Sequence, residues 1–113
     1  MISHYTMMKF IPKLGDFLLQ NGSIYTVREY YYTVNEVYVQ RVGICHRDFI
    51  KEVYGTNDLI PYVVDSGFNS ADEWNTKIMS FIRRNGVRLN LYRVIVIKPE
   101  VGKVSNILKT LGN

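Results

Sequence analysis

The spacing of hydrophobic and polar positions changes several times along the chain, and each change marks an element. The clearest is a helix predicted over 71–84. Ser70-Ala-Asp-Glu73 has capping-box spacing, in which a hydroxyl and a carboxylate close the first helical turn, and Asn85-Gly86 supplies a stop. Its apolar positions Trp74, Ile78, Phe81 and Ile82 fall on one face, which predicts packing against a sheet. Val87 to Ile97 reads as a strand: Val87, Leu89 and Leu91 alternate with Arg88, Asn90 and Tyr92, then Val94 to Ile97 is apolar on both faces, and Pro99 ends it. Earlier in the chain, 16–21 predicts a short helix stopped by Asn21-Gly22. Ile24 to Tyr32 and Val34 to Cys45 are rich in β-branched and aromatic residues, which predicts two strands joined near Thr33–Asn35 as a hairpin. Phe49, Ile50, Val53 and Tyr54 recur at helical spacing ahead of Gly55, with continuation of the strand as the alternative. Val104, Ile107, Leu108 and Leu111 have the spacing of a short amphipathic helix. The sum is an α+β domain.

Composition narrows this picture to one domain over 1–113, since 113 residues with 47% hydrophobic content suffice for a single core. Cys45 is the only cysteine, which excludes an intrachain disulfide and a thiolate-rich zinc site. No apolar run approaches the roughly 18 residues of a spanning helix, so no membrane partner and a cytoplasmic location are expected. The net charge of +4 is unevenly spread: residues 83–109 carry seven basic side chains against Glu100, whereas 1–82 carry seven basic and nine acidic. A polyanion would be steered to such a segment. A solvated face explains it equally well, and Arg83 and Arg84 also suit the last turn of their helix, where cations meet the helix dipole. The nine tyrosines offer faces for unpaired bases and are equally ordinary strand residues.

Familiar catalytic patterns are missing. His46-Arg47-Asp48 matches the start of a kinase catalytic loop, but Val53 stands where that loop needs asparagine. There is no P-loop, dinucleotide fingerprint or paired-cysteine spacing. His4, Cys45 and His46 do not make a metal site, because adjacent strand residues point to opposite faces, so neither metal nor cofactor is expected.

Two segments carry more weight. Asn21-Gly22-Ser-Ile-Tyr-Thr-Val-Arg28 puts a glycine turn directly before a strand on which Thr26 and Arg28 share one face, a pairing that suits a phosphate or a base edge. A surface strand with a stem-packed arginine is the alternative. Ser66-Gly-Phe-Asn-Ser-Ala-Asp-Glu-Trp74 places Phe68 just ahead of a capped helix, where it can pack on the first turn. In this order the two segments, with the hydrophobic strand Leu91 to Ile97, resemble the ASCH family of the PUA-like superfamily over about 14–97. The resemblance implies a small PUA-like β-barrel with flanking helices and an RNA-related cleft beside the first segment. Some members of that family are hydrolases of modified cytidine, and some are reported as ribonucleases. Their amidohydrolase branch uses a lysine in the glycine turn, a threonine before the arginine and a glutamate ahead of the helix motif. This chain keeps Thr26 and Arg28, but Ser23 or Ile24 stands at the lysine position and Asp65 or Ser66 at the glutamate. Without the lysine nothing activates the threonine hydroxyl, which argues against catalysis.

The first expectation is therefore a noncatalytic RNA- or nucleotide-binding domain. Arg28, Arg47 and Lys51 would line its site, Tyr30 would stack on a base, and Arg83, Arg84 and Arg88 would form a basic rim. A small nucleoside or RNA hydrolase built on Thr26, Lys51 and Asp65 is one alternative. The other is an interaction subunit that forms a homodimer through the C-terminal helix.

Overall fold

The computed structural model describes residues 5–82 and 88–100. In chain order they form β1 (Thr6–Met8), α1 (Pro12–Asn21), β2 (Ser23–Arg28), β3 (Glu36–Val39), β4 (Gly43–Val53), a 3-10 helix (Thr56–Asp65), α2 (Ala71–Phe81) and β5 (Leu89–Pro99). The five strands make one open mixed sheet in the order β1-β3-β4-β5-β2. This is the α+β class expected. Among the described residues no helix is long and apolar enough to cross a membrane.

Helix α1 starts four residues earlier than the periodicity predicts, because Pro12 in its first turn has its φ already fixed for a helix and lacks only an N–H that no helical carbonyl would accept. It ends where predicted. Gly22 adopts the left-handed conformation (φ 85°) and donates its N–H to the Leu18 carbonyl at 2.8 Å.

The predicted hairpin between the second and third strands does not form. β2 pairs antiparallel with β5, Ile24 opposite Val94 and Thr26 opposite Tyr92, while the hairpin joins β3 to β4. Residues 29–35 are irregular and are held by side chains instead. Tyr32 N–H donates to the Tyr92 hydroxyl at 2.6 Å, that hydroxyl donates to the Tyr30 carbonyl at 3.1 Å, and Arg47 Nη2 donates to the Val34 carbonyl at 3.0 Å. The β3–β4 turn passes through Arg41 at φ 69°, and Gly43 follows at φ 130°, where any Cβ would collide with the Lys98 carbonyl oxygen on β5. Of the two readings of 48–55, strand is the one realised, through to Val53. β5 runs from Leu89 to Pro99 rather than from Val87 to Ile97.

Two apolar clusters lie on opposite faces of the sheet. The inner one joins Met8, Leu18, Ile24, Val37, Val39, Val42, Cys45 and Val94, and so draws on α1 and all five strands. The outer one sets Val53 and Leu91 against Leu59, Trp74 and Ile78 of the 3-10 helix and α2. Burying each such side chain contributes about 1.5–3 kcal/mol. The hydroxyl half of the predicted capping box forms, Ser70 Oγ accepting the Glu73 N–H at 3.0 Å, while the Glu73 carboxylate pairs with Lys13 at 3.9 Å. Phe68 stacks on Trp74, ring centroids 6.1 Å apart and nearly coplanar at 11°. Trp74 and Ile78 of the predicted apolar face are buried, whereas Phe81 is exposed. Residues 83–87, including Arg83 and Arg84, and the C-terminal helix predicted over 104–111 lie outside the described residues, as does His4.

Candidate nucleic-acid interface

Strand alternation puts Thr26 and Arg28 on the inner face of β2, and the antiparallel registers bring Tyr92, Val94 and Arg47 to the same side. Arg28 donates from Nε to Thr26 Oγ1 at 3.3 Å and from Nη2 to the Lys9 carbonyl at 2.9 Å, with its guanidinium carbon 4.8 Å from the Phe10 ring centroid. Arg47 is only 3% exposed. Its guanidinium lies 4.2 Å from the Tyr32 centroid and 5.6 Å from that of Tyr92, and Nη1 approaches the Met8 sulfur at 4.0 Å. Its Nε is buried with no acceptor.

Among the described residues no carboxylate lies within 4.0 Å of either guanidinium. Burial lowers Arg28 to about 10; the Tyr32 hydroxyl partly opposes the shift and neighbouring Arg47 adds to it. Burial also lowers Arg47, against the favourable influence of Tyr92 and Tyr32. Both remain charged at neutral pH. Placing the buried Arg47 in low dielectric beside half-buried Arg28 without a counter-ion is costly, and perturbed charged groups of this kind are candidates for a functional site.

A cleft of ≈ 490 Å³ opens beside Arg28, between the end of β2, the start of α1 and α2. Lys9, Lys77, Thr26, Arg28 and Glu29 give it polar groups, and Phe10, Tyr30, Tyr32, Phe68, Trp74 and Phe81 give it aromatic faces. Tyr32 belongs to both environments: it lines the cleft, and its ring carries Arg47. The mixture suits a ligand with a flat ring and a negative charge.

The structure therefore brings Arg28, Thr26 and Tyr30 to one cleft, with Arg47 against its Tyr32 wall. Lys51 and Arg88 are elsewhere. Lys51 Nζ pairs with Asp58 Oδ1 at 3.3 Å, on the face that carries Leu91 and Val53. Arg88 pairs with Glu52 Oε1 at 3.4 Å, its side chain 79% exposed. Asp65 accepts from Asn21 Nδ2 at 3.1 Å on an exposed surface. Thr26, Lys51 and Asp65 thus share no cluster. No group of three or more His, Cys, Asp or Glu side chains able to hold a metal occurs among the described residues.

Sequence reasoning passed over Lys9, Phe10, Tyr32, Lys77 and Tyr92. For Tyr92 a signal was present, since it alternates in register with Val94 and Asn90 on a strand already predicted. Lys9 and Phe10 gave none; they meet Arg28 only because the chain ends of β1 and β2 approach. Comparison with models of known protein families, with curated proteins and with solved structures gives no match.

Proposed function

We propose that this chain is a noncatalytic module that binds RNA or a nucleotide, with the aromatic cleft as the base site and Arg28 as the phosphate contact. The observation that carries the reading is the meeting of Arg28 and Arg47 on one face with no described carboxylate within 4.0 Å of either guanidinium, beside a cleft walled by rings and lined by Lys9, Lys77 and one acid, Glu29. Stacking of an unpaired base on such a wall contributes about 1–3 kcal/mol. Lys9 and Lys77 extend the charge toward the next phosphate.

The PUA-like barrel of the ASCH resemblance has two supports. The inner cluster collects side chains from all five strands. The two terminal strands of the sheet are also linked at one end, where Arg28 at the end of β2 donates to the Lys9 carbonyl just beyond β1. The separation of Thr26 from Lys51 and Asp65 favours binding over hydrolysis, because neither of the two groups considered as its base lies beside the hydroxyl.

The test is titration of a short single-stranded RNA at two salt concentrations. Binding that weakens as salt rises and drops in Arg28→Ala supports the reading; absent or salt-insensitive binding overturns it.

A further inference from the structure

We infer that a second depression beside the aromatic cleft receives the ribose of the neighbouring nucleotide and accepts a hydrogen bond from its 2′-hydroxyl, so that the chain selects an RNA strand over DNA. This subsite rests on the base site proposed for the cleft and specifies the sugar of its ligand.

The two hollows adjoin. The second, of ≈ 530 Å³, shares Ile11, Phe68 and Lys77 with the cleft. Both volumes fall within the roughly 300–1,000 Å³ of ligand sites. Glu73, Thr76, Lys77 and Ser80 of α2 line the second hollow as one helical stripe, spaced by three and four, and Lys13 stands across from them at the start of α1.

Its polar groups are of a different kind from those of the cleft. Thr76 Oγ1 donates to the Asp72 carbonyl at 2.9 Å, and Ser80 Oγ donates to the Lys77 carbonyl at 2.6 Å. Each hydroxyl proton is spent inside the helix, and the oxygen keeps its capacity to accept. The Glu73 carboxylate adds acceptors, with Lys13 Nζ 3.9 Å away to balance its charge. Lys77 lines both hollows, with Nζ 5.3 Å from the Phe81 centroid and no carboxylate within 4.0 Å among the described residues.

This chemistry ranks the parts of a nucleotide. A base is a poor occupant, because the one ring in the second wall, Phe68, already stacks on Trp74 and has Lys13 Nζ 5.8 Å from its centroid. A phosphate is poorer, because Glu73 repels it and both hydroxyl protons are committed. A ribose is neutral, and its 2′-hydroxyl donates to the acceptors that Thr76 and Ser80 present, whereas a deoxyribose has no such donor. A strand laid across the boundary puts one base against the aromatic walls of the cleft, the linking phosphate at Lys77 and the next ribose against Thr76 and Ser80.

The experiment titrates one short single strand, built from adenine, guanine and cytosine so that the bases are identical, as RNA, as DNA and as 2′-O-methyl RNA. Fluorescence reads binding to wild type, to the double variant Thr76→Val/Ser80→Ala and to Arg28→Ala, and thermal melts confirm that each folds. Wild type is expected to bind RNA about three- to tenfold more tightly than DNA, the worth of one hydrogen bond, and 2′-O-methyl RNA no more tightly than DNA. The double variant should bring RNA down to the DNA affinity and leave DNA unchanged. Arg28→Ala should weaken both strands by the same factor and keep the preference, because a phosphate contact does not read the sugar. Equal affinity of wild type for RNA and DNA, or a preference that survives in the double variant, overturns the subsite and leaves single-strand binding standing. Binding of a nucleoside monophosphate but of neither strand overturns the subsite and keeps the cleft as a nucleotide site. A protein that binds none of these probes loses both readings.

Discussion

The two faces of the sheet treat basic side chains in opposite ways. On the outer side and around the rim, Lys51 pairs with Asp58, Arg88 with Glu52, His46 with Asp48 and Lys13 with Glu73, all substantially exposed. On the inner side Arg47 is buried and Arg28 half-buried, and no described carboxylate lies within 4.0 Å of either guanidinium. Stability alone would arrange the charges the other way, since exposed pairs contribute about 0–1 kcal/mol while a buried uncompensated charge costs several. Of the predicted basic rim only Arg88 lies among the described residues, and there it is exposed and paired with Glu52.

The largest expected effect is on binding. Arg28→Ala should lower RNA affinity by roughly 1.5–3 kcal/mol, the worth of a hydrogen bond to a charged group, as read by titration. A similar loss from Lys51→Ala would erase the distinction between the faces. Next comes the thiol of Cys45, which has no charged partner and is pushed up to about 12 by burial from an ordinary value of 9.0. The unfolded chain loses this proton first, so between pH 9 and 12 stability falls as pH rises, by at most about 1.4 kcal/mol per pH unit. Cys45→Val should flatten that slope in denaturant titrations at several pH values relative to wild type. Arg47→Met should raise the unfolding free energy by about 1 kcal/mol, because an apolar side chain replaces an uncompensated charge. A destabilised variant would mean that the Val34 and tyrosine contacts of Arg47 outweigh its desolvation. The smallest effects belong to the outer pairs: Lys51→Ala and Arg88→Ala should each change stability by less than about 1 kcal/mol in thermal melts.

Sequence periodicity fixed faces better than partners. Ser70 and Glu73 announced the start of α2, and Asn21-Gly22 the end of α1, because capping is local chemistry. Thr26 and Arg28 shared a face by alternation alone. The partner of β2 was not legible, since alternation is the same whether β3 or β5 lies alongside. Nor was the 3-10 helix, whose Pro61 breaks helical periodicity. Lys51 shows why the site was only half readable. Counting by twos from Arg47 through Phe49 assigns it to the inner face. A register shift between Phe49 and Lys51 adds one residue to β4 against β5, so Phe49 stays opposite Tyr92 while Lys51 falls opposite Leu91, on the outer face. One extra residue removed a predicted site member and left Arg47 in place. Lys9 was beyond reach for a different reason: its carbonyl, not its side chain, meets Arg28.

The Tyr92 hydroxyl, which both accepts from Tyr32 and donates to Tyr30, has a consequence for time rather than for geometry. Val94 belongs to the β2–β5 ladder, and its amide meets solvent only when that ladder opens. The Tyr32 amide has a single hydroxyl to leave. Its deuterium uptake should therefore be faster than that of Val94 by orders of magnitude, and its rate would set a clock for how quickly the tyrosine wall over Arg47 parts.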